Sequence, residues 1–254
     1  MHPIIYDRKG IPFFHQKTEL EFQQDIYERY HEMVVRQSAL HLADQLWGRY
    51  PYQTIIEFAK AYYPKAKDIN ILEIGCGVGR WIATLAKHYP QSTCWGIDYS
   101  YQMLKCAKDF WVEEKEVSID MTDKGLGQAS LKGERLTNLN FGLAKAEKLP
   151  FEDGSQHMAV SSFLLDRLDS PIIGLEEMYR VLKRNGKLVL ISPLNFKKAE
   201  HWKIYYPSSQ LSNILKDIGF EILDWNDDIT IQEPLDHRGN ALDWKCLGFV
   251  AQKQ

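Results

Sequence analysis

The stretch ILEIGCGVGRW, residues 71–81, decides the fold. Ile71, Leu72 and Ile74 have the apolar character of a buried strand, three glycines follow, and helix-forming residues come after them. That order is a strand, a tight turn and a helix whose free N–H groups face a ligand. The glycines are Gly75, Gly77 and Gly79, spaced G-x-G-x-G, and a dinucleotide loop needs a further glycine where this chain has Arg80. Glu73 points the same way. A carboxylate beside a pyrophosphate repels it, whereas the same carboxylate attracts an ammonium group.

Working outward, strands and amphipathic helices alternate, the pattern of an α/β layer fold. Strand 69–74 and a helix over 79–88 lead to strand 93–98, TCWGID, and a helix over 101–117. A polar, glycine-containing link over 118–138 is longer than such connections usually are, which predicts a surface insertion. Strands 139–144 and 157–163, a helix over 171–182 and strand 186–192 follow. The end differs: a helix from 208 closed by Gly219 leads to strand 220–225, and strand 244–253 comes with no helix between. Strands separated by helices run parallel, and one that returns without a crossover pairs antiparallel. The prediction is a doubly wound, mostly parallel, seven-stranded Rossmann-like sheet with its last strand antiparallel.

Before the glycines, Thr18 and Glu21 have capping-box spacing, and Phe22, Ile26, Tyr30, Met33 and Val34 recur at helical intervals. This predicts a helix over 19–36, with others over 38–47 and 51–63, the last ended by Pro64. Residues 1–66 therefore read as an amino-terminal helical cap or lid, and 67–254 as the main domain.

Composition narrows the function. The chain has 254 residues, 44% of them hydrophobic, with no apolar run long enough to span a bilayer and no signal-peptide pattern at its start. The expectation is a cytoplasmic protein without a membrane partner. A net charge of −3 gives no general field for a polyanion, which disfavours nucleic acid as a partner. Cys76, Cys94, Cys106 and Cys246 lack the paired spacing of zinc sites, and the histidines form no H-x-x-x-H pair, so no metal is expected. No feature bears on oligomeric state.

The second strand ends in Asp98, where a carboxylate accepts both hydroxyls of a ribose. A ligand that combines an amine with a ribose is S-adenosylmethionine. Here the chain resembles the class I S-adenosylmethionine-dependent methyltransferases, in particular the group with a type 11 methyltransferase domain. The resemblance is good over 69–190 and loose over the last 45 residues, and the first 65 carry no motif of the family.

LEIGCGVGR resembles the family's first motif, which implies that Glu73 and the backbone at Gly75, Cys76, Gly77 and Gly79 hold the methionine end. GIDYSYQML is similar to the second and implies Asp98 on the ribose, with Tyr99 and Met103 beside the adenine. Met103 equally fits the core face of its helix. AKAEKLPFEDGS implies Ala146 and Glu147 at the adenine edge, with Lys145 where the family usually has Asp or Asn. HMAVSSFLLDRL implies Ser161 facing the cofactor, with His157 replacing a common aspartate at the far end of the strand. EMYRVLKRNGKLVLISP resembles the helix, turn and fifth strand, with Asn185 in place of a glycine. Cys76 reads as a small packing residue, since nothing places a base beside it.

The resemblance implies in-line methyl transfer to a small-molecule acceptor, whose main demand on the protein is alignment. The fourth strand ends in Ser161-Ser162-Phe163-Leu164, not in the Asn/Asp-Pro-Pro-Tyr/Phe signature of enzymes that methylate nucleobase or glutamine amino groups. Acceptor contacts are expected outside the common core, near 193–207 and 226–243. The first segment offers Asn195, His201, Trp202, Tyr205 and Tyr206; the second offers Asp236, His237 and Arg238. These aromatics either line an acceptor pocket or pack the lid onto the core. Candidate bases are Asp166, His201 and His237, and Tyr30 or Arg36 is placed to reach the cofactor carboxylate. Two alternatives stand beside a methyltransferase: a protein that binds the cofactor for regulation or assembly, and a nucleotide-dependent oxidoreductase, which Arg80 argues against.

Overall fold

A computed structural model describes Met1 and residues 3–254 of the chain. A hairpin of β1 (Tyr6–Arg8) and β2 (Ile11–Phe13) comes first. Five short helices follow: α1 (Glu19–Gln24), α2 (Ile26–Arg29), α3 (His31–Leu42), α4 (Asp44–Trp47) and α5 (Gln53–Lys60). The alternating part then runs β3 (Asn70–Ile74), α6 (Arg80–His88), β4 (Thr93–Asp98) and α7 (Tyr101–Trp111). A second hairpin, β5 (Val117–Asp120) and β6 (Gln128–Leu131), precedes β7 (Leu139–Leu143), β8 (Gln156–Ser162), α8 (Pro171–Val181) and β9 (Leu182–Ser192). The chain ends with α9 (Ala199–Tyr205), α10 (Ser208–Ile218), β10 (Phe220–Pro234) and β11 (Ala241–Lys253).

The main sheet has the order β1-β2-β7-β4-β3-β8-β9-β11-β10. Strands β7, β4, β3, β8 and β9 are mutually parallel, and β11 lies antiparallel between β9 and β10. Successive side chains of β3 bury on opposite faces: Ile71 joins one core with Cys94, Val160 and Val189, while Leu72 and Ile74 join the other with Ile97, Ala159 and Leu190. A parallel strand covered by helices on both sides is apolar at nearly every position for this reason. The chain winds from β3 outward through β4 to β7 and then returns to β8 on the other side. The crevice at the carboxyl ends of β3, β4 and β8 is thus the switch point where such sheets bind ligands.

Seven strands were expected, and these seven are present with the predicted parallel core and antiparallel last strand. Two more extend the β7 edge: Phe13 registers with Leu143, and the Phe14 N–H donates to the Leu143 carbonyl at 2.8 Å. Ile11 and Phe13 are buried there, so residues 1–66 are not helical throughout, and their first strands complete the same sheet. The 118–138 insertion is the β5–β6 hairpin, and α7 stops at Trp111, whose indole N–H donates to the Val78 carbonyl at 2.9 Å. Gly219 closes α10 in the left-handed region, as expected.

The predicted helix over 19–36 is three helices. Its capping box at Thr18 and Glu21 forms, but Asp25 breaks the run. The Asp25 carboxylate accepts the N–H groups of Tyr27 at 2.9 Å and Glu28 at 3.3 Å, and Lys17 holds its other oxygen at 2.6 Å. An aspartate so engaged starts a new helix in preference to continuing the old one. Phe22, Ile26 and Tyr30, read as a core face, are exposed; only Val34 of that set is buried.

Candidate active site

The β3–α6 turn is built from backbone conformations that glycine tolerates. Gly75, Gly77 and Gly79 have φ of +73°, +52° and +77°, and a Cβ on Gly79 would lie 2.8 Å from the Phe141 ring. The Gly75 and Cys76 N–H groups donate to the Ile97 carbonyl at 2.8 and 3.0 Å, folding the turn over the end of β4. Glu73 is buried at the end of β3, and its Oε2 accepts the Ile82 N–H at 2.8 Å, capping α6. Burial pushes its carboxyl well above the usual range; the Ile82 N–H offsets this in part and the nearby Asp98 charge adds to it. A carboxylate held in that state favours a cation beside it.

At the end of β4, Asp98 accepts the Gly77 N–H through Oδ2 and the Ser100 N–H through Oδ1, both at 2.8 Å. Burial raises its pKa against these two donors. Tyr99 and Met103 flank the same opening, and Met103 Cε lies 3.5 Å from where a Gly77 Cβ would be. Met103 is buried within the core as well as lining the cavity. Lys145, where the resemblance led to an expectation of Asp or Asn, forms an ion pair with Glu21 of α1. Its ammonium stands 5.5 Å from the centre of the Tyr99 ring, and that of Lys17 stands 4.3 Å from it. Helix α1 is therefore held over this end by charged contacts.

One cavity of about 670 Å³ connects the parts. Glu73, Gly75, Cys76, Gly77, Asp98, Tyr99, Met103, Ala146 and Glu147 line it; Gly79 does not, and acts through the turn it permits. The Glu147 side chain turns aside: Oε1 accepts the N–H groups of Asp169 and Ser170 at 3.1 and 3.4 Å, at the start of α8. Ser161 does not face the cavity. Its hydroxyl donates to the Ile74 carbonyl at 2.9 Å in a fully buried position, and its neighbour Ser162 lines the cavity instead. Strand alternation puts adjacent residues on opposite faces, and the one-residue choice was the wrong one.

Beyond the glycine turn the cavity has aromatic walls: His41, Tyr50, Tyr52, Phe163 and Trp244. His41 stacks on Tyr52 at 4.7 Å, and Phe163 meets Tyr52 and Trp244 edge-on at 5.5 and 5.8 Å. Burial pushes His41 down to about 4, so it is neutral at physiological pH, and its Nδ1 lies 3.0 Å from the Tyr50 hydroxyl. Glu233, on β10, accepts Tyr52 Oη–H at 2.8 Å and the Trp244 indole N–H at 2.9 Å, and pairs with Arg36. Burial alone would raise its pKa; these three donors outweigh it and hold the carboxyl low. This cluster ties α3 and the segment before α5 to the β10–β11 hairpin.

The expected acceptor residues divide. Asp166 and His201 line the cavity and are buried. His237 does not line it: it sits on the β10–β11 turn, where its N–H donates to the Lys124 carbonyl at 3.0 Å. Asp236 caps that turn, accepting from the Arg238 and Asn240 N–H groups. Asn195, Tyr30 and Tyr206 are exposed outside the cavity, and Trp202, 40% exposed, donates to the Phe196 carbonyl. Tyr205 packs on Phe196 in the core at 5.1 Å. Arg36 reaches Glu233, not the glycine turn. His157 is structural, its Nδ1 accepting the Asn70 N–H at 2.9 Å, and Asn185 makes its turn at φ +63°, which asparagine tolerates. His41, Tyr50, Tyr52, Glu233 and Trp244 were not foreseen; only their aromatic or acidic character was visible, with no spacing to join them. Among the described residues no group of His, Cys, Asp or Glu is arranged to hold a metal, and no helix is long and apolar enough to cross a membrane.

Comparisons with known proteins meet this geometry. Residues 72–190 match the family model described as a methyltransferase domain. A demethylmenaquinone methyltransferase of Lactococcus lactis is 31% identical over 124 residues, covering 48% of this chain and 41% of its own. The ubiquinone/menaquinone biosynthesis C-methyltransferase UbiE of Citrifermentans bemidjiense is 29% identical over 124 residues, covering 48% and 44%. The match thus spans less than half the length of these curated relatives. A crystal structure of a S-adenosylmethionine-dependent methyltransferase from Aquifex aeolicus shares the fold, with a TM-score of 0.52 at 20% identity over 88% of this chain and 98% of that one.

Proposed function

We propose that this chain, whose residues 72–190 form a class I S-adenosylmethionine-dependent methyltransferase domain, transfers a methyl group to a small-molecule acceptor. One observation carries the reading: the buried carboxylate of Glu73 and the half-buried one of Asp98 flank a single glycine turn beside the cavity that the aromatic residues enclose. The donor set fits the cofactor. Glu73 would hold its ammonium, the Gly75–Gly79 backbone its methionine end and Asp98 its ribose, with Tyr99, Met103 and Ala146 beside the adenine. When bound, S-adenosylmethionine supplies a methyl group already activated by its sulfonium.

What remains for the protein is alignment and exclusion of water. The lid contacts at Lys145 and Glu233 close the cavity at its two ends, and the aromatic walls orient the acceptor. Tyr52, Glu233 and Trp244 lie outside the matched 72–190, so acceptor choice rests on this chain's own segments. The relatives' named acceptors support a small molecule without identifying this one. The low net charge and the enclosed site favour such an acceptor over nucleic acid.

Incubation with methyl-labelled S-adenosylmethionine and a cell extract tests the proposal. Label is expected in a small molecule. Binding of S-adenosylhomocysteine without any label transfer would replace this reading with that of a regulatory binding protein.

A further inference from the structure

One polar strip of the cavity wall has no partner within the chain. Gln37 and His41, both half-buried, stand four residues apart on α3, so they share a helix face, and both line the cavity. The His41 ring is bonded only through Nδ1, 3.0 Å from the Tyr50 hydroxyl. Its Nε2 has no partner among the described residues and keeps accessible surface, and the space it meets is the cavity. The Gln37 amide is free in the same way. Elsewhere this end of the cavity is lined by aromatic rings, so two unpaired polar groups on one helix face stand out as groups for a ligand to satisfy.

The tautomer follows from the Tyr50 bond. The buried Tyr50 hydroxyl has no other acceptor among the described residues, so it donates to His41 Nδ1. Burial keeps the ring neutral, and its one proton is then on Nε2. The cavity is thus presented with an N–H donor. The His41 ring stacks on Tyr52, which meets Phe163 edge-on, so this donor belongs to the aromatic end. Its partner is an oxygen and not a cation. The Arg80 charge acts on His41, and the Glu233 charge that opposes it is already engaged by Arg36, Tyr52 and Trp244. The cofactor's carboxylate has a charged partner of its own in Arg80, which follows Gly79 directly and lines the same cavity.

We infer that His41 Nε2–H, with the Gln37 amide as a second donor one turn away, recognises a carbonyl oxygen on a flat, apolar acceptor molecule. The inference rests on the methyltransferase reading for the role of the site, and its test is separable from that reading.

The protein is saturated with S-adenosylhomocysteine, whose own binding is measured first, and titrated calorimetrically with 2-acetylnaphthalene, 2-isopropenylnaphthalene and 2-naphthylmethylamine. The alkene keeps the shape of the ketone with CH₂ in place of its oxygen. A neutral hydrogen bond corresponds to a preference of about threefold to tenfold for the ketone. His41→Phe combined with Tyr50→Phe keeps a ring against Tyr52, strands no hydroxyl, and is expected to abolish that preference; Gln37→Leu is expected to reduce it. Nitrogen-15 spectra of the wild-type imidazole, assigned by the signals that His41→Phe removes, should show the Nε2–H tautomer at pH 7. Those signals should shift with the ketone and not with the alkene. The inference is overturned by an Nδ1–H tautomer, by failure of the wild type to bind either neutral ring, or by equal binding of the two. Tightest binding of the ammonium compound, or a preference that survives in the double variant, overturns it as well. A His41 shift on S-adenosylhomocysteine binding with none from the ketone would assign the donor to the cofactor's carboxylate and likewise overturn it. Failure of S-adenosylhomocysteine to bind would strike the methyltransferase reading, and this inference with it.

Discussion

Lys145, just past β7, forms an ion pair with Glu21 of α1 over the Tyr99 ring. The lysine that stands where Asp or Asn was expected thus has a partner of its own, supplied by a segment in which no family motif was found. Hydrogen bonds from Lys145, the Thr18 N–H, Tyr99 and His15 outweigh the effect of burial and hold Glu21 well below the usual carboxylate range. Its stabilising contribution is present above the ordinary glutamate value and is lost as pH falls toward the lowered one.

The pair is partly exposed, with side-chain exposures of 30% and 22%, so its coupling should be modest, about 0.2–1 kcal/mol. A double-mutant cycle on Lys145→Ala and Glu21→Gln, read as S-adenosylhomocysteine affinity by calorimetry, is expected to give a coupling in that range at pH 7. Strictly additive effects would mean that the pair does not close the lid over the cofactor.

Glu73→Gln keeps an oxygen for the Ile82 N–H while removing the charge. Folding raises the wild-type pKa at this site, so its stabilising contribution is full below about pH 4.3 and declines as pH rises through the folded-state value. The variant lacks that decline. Thermal melts of the unliganded protein across pH should show it matching or exceeding wild type at neutral pH, while its affinity for S-adenosylhomocysteine falls at least about tenfold, the loss of a charge-assisted hydrogen bond. Unchanged affinity would remove Glu73 from the ammonium site.

Replacing Asp98 with Ala is expected to cost about 1.5–3 kcal/mol of cofactor binding, the range for hydrogen bonds to a charged group. Because Asp98 also accepts the Gly77 and Ser100 N–H groups, part of that loss belongs to the turn. Titration with methylthioadenosine, which has the ribose and no amino acid, isolates the ribose contribution. Should it bind both proteins equally, the ribose assignment is wrong.

Tyr52→Phe removes one of the three donors on Glu233 and leaves a buried carboxylate oxygen with less compensation. The expected loss of stability is about 1.5–3 kcal/mol in urea denaturation. No loss would show that the Tyr52–Glu233 bond does not tie the lid to the hairpin.

Much of this was legible in the sequence because it depends on neighbours along the chain. Three glycines at alternate positions specify a left-handed turn, since only glycine adopts that backbone without strain. Alternating strands and helices specify a parallel sheet, and a carboxylate at the end of each of the first two core strands falls at the crevice such a sheet creates. Local competition was harder to read. Asp25 broke a helix whose period was correct, because its side chain offered the backbone a better partner than the next turn did.

Tertiary structure decided the rest. Tyr52 and Glu233 are 181 residues apart and meet through a single hydrogen bond, which no local periodicity encodes. Ser161 and Ser162 are chemically alike, and only the pleat of β8 sends one into the core and the other toward the cavity. The sequence by itself therefore determined the sheet and the glycine turn with its two flanking carboxylates, which follow from short-range spacing. The enclosure for the acceptor, built from His41, Tyr52, Phe163, Asp166 and Trp244, exists only once the lid and the last hairpin are packed against the sheet, since burial and pairing are properties of the assembled core.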